Sequence, residues 1–210
     1  MAQTKKAAQN KKKNMVAIID YGAGNIFSVK NALDYLGAEN KLTDKSEDII
    51  NADKIILPGV GAFPHAMQML NKNGLADVIK TQAKKKPFMG ICLGMQIIFE
   101  KGYEFCECDG LGLIPGKVEK IKDMGLVIPH MGWNKLEKIN GSNIVKEDNI
   151  YTYFVHSYKA VCDEKYIAYY CEYSEKIPAL VQKDNIYGCQ FHPEKSGEQG
   201  LKILENFINL

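Results

Sequence analysis

Short apolar runs alternate with helical patterns through the first half of the chain, and this alternation restricts the fold more than any other feature. Residues 15–20 (MVAIID) form a nearly continuous apolar run, as strands of a buried parallel sheet do. Similar runs recur at residues 54–57 (KIIL) and at residues 87–91 (PFMGI), which lead into the helical pattern LGMQIIFE. Strands that alternate with helices predict an α/β three-layer sandwich around a mostly parallel central sheet.

The second half of the chain has a different pattern, because strand-like runs rich in Tyr, Val and Ile follow one another closely. They lie at residues 151–160, 166–173, 179–182 and 186–191. Short separations predict an additional region of antiparallel strands. Ser196 begins a last segment with helical spacing, for which we expect a serine cap and a helix that closes the chain.

Length and composition favour a single soluble domain. The chain has 210 residues and is 46% hydrophobic, which suits one core, and we predict a domain over residues 15–210. Residues 1–14 are basic and poor in core-forming side chains, so we predict a disordered N-terminal extension there. They lack the apolar stretch of a secretory signal, and no later run could cross a bilayer, so we expect a cytoplasmic protein without a membrane partner. A net charge of +2 gives no field that would gather nucleic acid.

The sequence gives no sign of a metal site or a nucleotide cofactor. Cys106 and Cys108 form a CxC pair without a CxxC partner or a nearby histidine, and we expect all six cysteines to be reduced thiols. Gly22 and Gly24 resemble part of a dinucleotide loop, but Phe27 stands at the third glycine position.

The sharpest local signal is GICLG at residues 90–94, where Cys92 lies between two glycines at the joint of a strand and a helix. This pattern is typical of a nucleophile elbow, in which the glycines permit a strained turn that exposes the central side chain. The N-terminal amides of the next helix would favour a thiolate, and the Leu93 amide would be free to bind an oxyanion. The alternative is that Cys92 is a small buried hydrophobe in a tight loop.

A base for such a nucleophile occurs in QFHPE at residues 190–194. In an extended segment His192 and Glu194 project to the same face, so the carboxylate can hold the imidazole in the tautomer that accepts a thiol proton. Pro193 cannot enter a central ladder and places the pair at a strand end. The alternative is a surface loop with an incidental ion pair, but the combination with Cys92 points to nucleophilic catalysis.

With these motifs, PGVGAF at residues 58–63, PHMGWN at 129–134 and FVHSY at 154–158 resemble the class I glutamine amidotransferases. Within that class, IIDYGAGN, PGVG and PHMGWN are most similar to the HisH family, the glutaminase subunits of imidazole glycerol phosphate synthase. The similarity extends in the same order from about residue 15 to residue 210.

The resemblance implies roles for individual residues and requires no cofactor. Cys92 would attack the side-chain amide of L-glutamine, His192 would move the proton from the thiol to the leaving ammonia, and Glu194 would orient His192. A glutamyl thioester would form and water would release glutamate. The implied oxyanion hole consists of the amides of Leu93 and of Val60 or Gly61, once the PGVG strand has rearranged. The residues implied to bind the substrate are Gly59, Gln96, Ser157 and Tyr158, although Gln96 could instead be an ordinary exposed helix residue.

The resemblance also implies a partner, a HisF-type (β/α)8 barrel cyclase that forms a heterodimer with this chain and takes up the ammonia. The chain has no room for an acceptor domain of its own, which fits that expectation. The residues that match family positions facing the barrel are Asn25, Trp133, Asn134, Tyr153 and Lys195. For Trp133 the alternative is a core tryptophan, but its neighbours Gly132 and Asn134 suit a loop.

Three other functions stay open at this stage. The acceptor could be a sugar amidotransferase of surface glycan synthesis, with the same glutaminase chemistry. The chain could be a stand-alone cysteine hydrolase, which would turn over without a partner. It could also be a binding subunit that has kept only the fold, although such a role would not require Cys92, His192 and Glu194.

Overall fold

The computed structural model describes residues 14–22 and 26–210. The disordered extension was predicted for residues 1–14, and all of these except residue 14 lie outside the described residues. The first strands are β1 (Val16–Ile19), β2 (Asn40–Thr43), β3 (Lys54–Gly59), β4 (Phe88–Cys92), β5 (Phe99–Gly102), β6 (Cys108–Asp109) and β7 (Ile114–Lys120). The remaining strands are β8 (His130–Lys135), β9 (Glu137–Lys138), β10 (Tyr151–His156), β11 (Tyr158–Val161), β12 (Ile167–Tyr173), β13 (Glu175–Lys183) and β14 (Ile186–Cys189). The α-helices are α1 (Ile26–Tyr35), α2 (Ser46–Asn51), α3 (Phe63–Lys72), α4 (Leu75–Gln82), α5 (Leu93–Gln96) and α6 (Gly197–Ile208).

An eight-stranded sheet forms the centre of the molecule, in the order β2-β1-β3-β4-β14-β13-β12-β9. The five strands from β2 to β14 pair in parallel, whereas β13, β12 and β9 extend the sheet with antiparallel pairs. The predicted α/β fold, with a mostly parallel centre and antiparallel strands in the C-terminal half, is confirmed.

Successive residues of the central strands contribute to two different cores, because side chains alternate across a sheet. Ile18 belongs to a buried cluster with Leu33 of α1 and Phe207 of α6. Its neighbour Ile19 belongs to a second cluster with Leu70 of α3. Helices therefore cover both faces of the sheet, which gives the three layers.

The helix predicted for LGMQIIFE is wrong beyond its first turn. Helix α5 ends at Gln96, and Phe99 already starts β5 in a separate four-stranded sheet of order β11-β7-β5-β6. The carbonyls of Ile97 and Ile98 accept hydrogen bonds of 2.7 Å and 2.8 Å from the amides of Leu111 and Leu113. Long-range pairing thus takes the carbonyls that a continuing helix would need.

The strand predicted at residues 151–160 divides at Ser157. Strand β10 forms a two-stranded antiparallel ribbon with β8, whereas β11 pairs with β7 in the four-stranded sheet. The change of partner puts Ser157 between two sheets, at the rim of the cavity described below.

Strand β14 decides where the functional motifs meet. Predicted only as part of an antiparallel region, it also pairs in parallel with β4, with Cys189 opposite Ile91. The carboxyl ends of neighbouring parallel strands lie at the same edge of a sheet. The segment after β14 therefore lies beside the end of β4.

Candidate active site

Cys92 occupies a strained turn between β4 and α5, with φ 54° and ψ −110°. Positive φ is unfavourable for a residue with a side chain and persists only where the surroundings enforce it, often at functional sites. Two glycines make the turn possible. A Cβ atom on Gly94 would lie 1.8 Å from the carbonyl oxygen of Leu57, and one on Gly90 would lie 2.5 Å from the carbonyl oxygen of Gly94. The geometry is that of a nucleophile elbow.

His192 follows β14 and is held by its backbone as well as its ring. Its amide donates to the carbonyl of Tyr153 at 2.9 Å, and its carbonyl accepts a hydrogen bond of 2.6 Å from the Ser196 hydroxyl. Ser196 also accepts from the Tyr153 amide at 3.0 Å. The predicted serine cap is wrong in this respect, because the hydroxyl joins β10 to His192 and makes no cap hydrogen bond to α6.

The carboxylate of Glu194 lies against the Nδ1 side of the His192 imidazole. The distance from Nδ1 of His192 to Oε1 of Glu194 is 2.7 Å, and both side chains are almost completely buried. The segment between them is a single 3₁₀ turn, Pro193–Lys195, and the extended segment predicted there is wrong. The turn still brings the carboxylate to the ring, because it folds residue 194 back towards residue 192.

Cys92 and His192 line the same cavity and influence each other electrostatically. Burial by itself lowers the pKa of His192, but the favourable interactions of its ring with Cys92 and Glu194 outweigh burial and raise that pKa to about 9. Because Nδ1 faces Glu194, Nε2 is the nitrogen left for the sulfur. It has no hydrogen bond of standard geometry among the described residues, so its contact with Cys92 is looser than a usual hydrogen bond.

The cavity has a volume of about 350 Å³, within the range of small-molecule sites. Its lining consists of Val60, Gly61, Cys92, Leu93, Gln96, Glu104, Pro129, Val155, His156, Ser157, Tyr158 and His192. Eight of the residues expected at the site are among them. Two lie behind this lining: Gly59 pairs with Cys92 at the end of β3, and Glu194 supports His192.

The residues expected to bind an oxyanion line the same cavity as Cys92. Leu93 begins α5, so no carbonyl within that helix can accept from its amide. The helix has only four residues, which makes its dipole smaller than the sequence pattern predicted. Val60 is exposed at the cavity, and Gly61 has a φ of 101°, a conformation that suits glycine.

Sequence reasoning missed several residues at the site. Glu104 adds a carboxylate to the lining, and its Oε2 accepts a hydrogen bond of 2.7 Å from the amide of Phe63. His156 donates from Nδ1 to the carbonyl of Tyr158 at 2.8 Å, and burial lowers its pKa to about 3, so the ring is neutral. His156 lies within FVHSY, whereas Glu104 had no local signal.

Gln190 and Tyr21 also adjoin Cys92. The amide of Gln190 lies 3.9 Å from Sγ of Cys92, and Gln190 belongs to the QFHPE motif. Tyr21 is fully buried, and burial together with the charge of Cys92 raises the pKa of its hydroxyl. A Cβ atom on Gly59 would lie 2.5 Å from that hydroxyl, so Tyr21 restricts this position to glycine.

The residues expected at a partner interface lie in part on one exposed face. Trp133 is 54% exposed and belongs to β8, not to the loop that its neighbours suggested, and its ring lies 6.1 Å from that of Tyr153. Lys195 is exposed. The side chain of Asn134 is bonded within the chain, to Nε2 of His130 at 2.9 Å. Asn25 lies outside the described residues.

Comparison with known proteins shows the family of this chain. Residues 17–210 match the family described as "Glutamine amidotransferase class-I". The chain belongs to this family, and it is an enzyme, a glutamine amidotransferase. It is 49% identical over 196 residues to "Imidazole glycerol phosphate synthase subunit HisH" of Listeria innocua serovar 6a. The matched residues cover 92% of this chain and 94% of that protein. The protein of the same name from Bacillus cereus is 48% identical over 196 residues, 92% of this chain and 93% of its own length.

Solved structures share the fold at low sequence identity. "Structure of PurLQS from Thermotoga maritima" superposes with a TM-score of 0.71 at 22% identity and covers 94% of this chain and 98% of that chain. Within residues 14–22 and 26–210, no helix is long and apolar enough to cross a membrane, and no group of three or more His, Cys, Asp or Glu is arranged to hold a metal.

Replacement of Glu194 by glutamine should lower the pKa of His192, because burial still opposes the charged ring while a carboxylate no longer supports it. Imidazole signals in an NMR titration measure this directly. A histidine whose pKa is raised on folding stabilises the folded state below about pH 6.5, its unfolded value, and this contribution is lost as the pH rises through about 9. The difference in unfolding free energy between wild type and Glu194→Gln should therefore shrink across that interval.

Glu198→Gln is the matched control, since Glu198 is an exposed glutamate in the first turn of α6. An unchanged His192 titration in Glu194→Gln would contradict the assigned cause.

Proposed function

We propose that this chain is the glutaminase subunit of an imidazole glycerol phosphate synthase, which hydrolyses L-glutamine to glutamate and passes the ammonia to a cyclase subunit. One observation carries the proposal: in a chain about half identical to HisH proteins, Cys92 lines one cavity with His192, whose imidazole is paired with the buried carboxylate of Glu194.

The chemistry follows from the placement of the three side chains. The thiolate of Cys92 attacks the amide carbon of glutamine, and the resulting oxyanion is stabilised by the Leu93 amide and an amide of Val60 or Gly61. Protonated His192 gives its proton to the amide nitrogen, the carbon–nitrogen bond breaks, and ammonia leaves a glutamyl thioester. His192 then accepts a proton from water, whose oxygen attacks the thioester carbon; the carbon–sulfur bond breaks, which releases glutamate and restores the Cys92 thiolate.

The rest of the cavity suits the amino-acid end of glutamine. The Glu104 carboxylate can accept hydrogen bonds from the α-ammonium group, and the side-chain carbonyl of Gln96 can add another acceptor. Ser157 and Tyr158 also line the cavity, at the break between β10 and β11, and the carbonyl of Tyr158 accepts a hydrogen bond from Gln96. These contacts would orient the side-chain amide towards Cys92.

An exposed apolar face beside the cavity suits the partner subunit. Val127, Met131 and Trp133 are each more than half exposed, and Val155 on the adjoining strand lines the cavity itself. Large apolar residues exposed together are typical of protein interfaces. Ammonia released into neutral water would be protonated and lose its nucleophilicity, so a HisF-type (β/α)8 barrel docked over this face would keep it reactive.

The other candidate functions fit less well. A sugar amidotransferase partner would use the same glutaminase site, but the close relatives carry the name of the imidazole glycerol phosphate synthase subunit. A stand-alone hydrolase would leave the exposed face around Trp133 without a role.

Cys92→Ala should abolish glutamine-dependent synthesis by the two-subunit complex while synthesis from added ammonium salt continues, because only release of ammonia needs the sulfur. Both activities are measured as product formation by the cyclase. Cys106→Ala, at an exposed cysteine, serves as the control and should retain both. Loss of both activities in Cys92→Ala would mean that Cys92 has a structural role.

The isolated chain should hydrolyse glutamine slowly, and addition of the barrel with its acceptor ligand should raise turnover by about 100-fold or more, the scale of one added oxyanion donor. The measurement is glutamate formation with and without each component. Equal rates in all mixtures would reject a coupled mechanism and favour the stand-alone hydrolase.

Trp133→Ala should weaken binding of the barrel by about 2 kcal/mol, because a buried aromatic anchor commonly contributes that much to an interface. Calorimetric titration measures the affinity. Tyr35→Ala is the control, since Tyr35 is an even more exposed aromatic residue, at 79%, and is the last residue of α1. Equal affinities for both variants would place the docking surface elsewhere.

A further inference from the structure

Gln190 is a fully buried polar residue that lies between two residues of the site. It stands between β14 and His192, and its backbone amide donates to the carbonyl of Ala179 at 2.8 Å. Its side-chain Oε1 accepts a hydrogen bond of 3.1 Å from Nε2 of Gln96, and its own Nε2 points at Sγ of Cys92 at 3.9 Å. A buried amide is costly unless its polar atoms are paired, so these contacts constrain the side chain.

A backbone carbonyl sets the direction of this chain of amides. Nε2 of Gln96 also donates to the carbonyl of Tyr158 at 3.0 Å, and a carbonyl can only accept. Both hydrogens of the Gln96 amide group are then used, one towards Tyr158 and one towards Gln190. Oε1 of Gln190 must face Gln96, which leaves its NH₂ group for Cys92.

Resting on the function proposed above, we infer that Gln190 is a positioning residue with two tasks. It donates a hydrogen bond to the Cys92 thiolate, and it holds Gln96 so that the carbonyl oxygen of Gln96 is available to the substrate. The first task affects the reactivity of the sulfur, and the second affects the binding of glutamine.

The surroundings of Cys92 explain why a neutral donor matters there. Glu104, His156 and His192 line the cavity with Cys92, Tyr21 interacts with Cys92 electrostatically, and Glu194 lies behind His192. Tyr21 and His156 are uncharged at neutral pH, because burial raises the pKa of the phenol and lowers the pKa of the imidazole. The carboxylates of Glu104 and Glu194 oppose a second negative charge nearby. Among the described residues, His192 and Gln190 are therefore the side chains of the site that favour the thiolate.

The test separates the two tasks with two variants. Gln190→Met keeps the volume of the side chain and removes both hydrogen bonds, whereas Gln190→Glu keeps an acceptor for Gln96 and removes the donor to sulfur. In the full chain, alkylation of Cys92 by iodoacetamide is followed by mass spectrometry of the peptide that carries it, across a range of pH. In the complex with the barrel, KM for glutamine and kcat are measured separately.

For Gln190→Met we expect the pH midpoint of alkylation to rise by about 1 unit, the effect of one charge-assisted hydrogen bond, with an increase in KM. For Gln190→Glu we expect a larger rise in the midpoint and a smaller change in KM. Gln182→Met is the control, because Gln182 accepts a hydrogen bond from Ser142 at 2.6 Å outside the residues that line the cavity. It should leave both quantities at their wild-type values.

Wild-type alkylation profiles in both Gln190 variants would overturn the first task, and an unchanged KM in Gln190→Met would overturn the second. Should Gln190→Met fail to fold, as judged by its circular dichroism, Gln190→Glu decides the first task and Gln190→Asn, whose shorter amide cannot span the same gap, decides the second. Alkylation requires neither glutamine nor a partner. A wild-type complex that does not hydrolyse glutamine would therefore refute the proposed function and leave the alkylation result intact.

Discussion

The parallel pairing of β4 with β14 is the constraint on which the rest of this site depends. Residues 92 and 192 are a hundred positions apart, yet the register that sets Cys189 opposite Ile91 brings the two chain segments out of the sheet side by side. Each segment turns sharply at that point, β4 into the strained elbow at Cys92 and β14 into the 3₁₀ turn after His192. A cavity thereby forms at this edge of the sheet, and the sulfur of Cys92 and the imidazole of His192 line it.

Burial makes the electrostatics of this cavity effective. An isolated imidazole in so buried a position would lose its proton, but the Glu194 carboxylate on one side and the Cys92 sulfur on the other reverse that tendency. His156 shows the contrasting case, since it is also buried but lacks a carboxylate among its hydrogen-bond partners and stays neutral. The Ser196 hydroxyl fixes the backbone of His192 to β10, which also carries Tyr153 on the exposed apolar face. The proposed docking surface and the reacting groups are therefore connected through β10.

Local patterns predicted much of the fold, and the predictions that were wrong share one cause. The alternating strands and helices of the first half were evident because buried parallel strands have continuous apolar runs. The helix predicted after Gln96 and the single strand predicted across Ser157 were wrong, because pairing with distant residues, 111–114 in one case and β7 in the other, overrode the local preference. The site gives a similar example. The sequence around Glu104 contains no pattern that predicts a carboxylate at the site, and only the tertiary structure shows that Glu104 lines the cavity.

The sequence by itself determined the chemical parts: a cysteine between two glycines, a histidine with a carboxylate two residues later, and motifs that place the chain among the class I glutamine amidotransferases. Such features depend on near neighbours, and near neighbours are visible in a sequence. Only the tertiary structure decided which parts meet, because the pairing of β14 with β4 and the direction of the amides of Gln96 and Gln190 depend on contacts across many tens of residues. These contacts are fixed by packing and by the cost of leaving buried polar groups unpaired, and neither can be read from a local pattern.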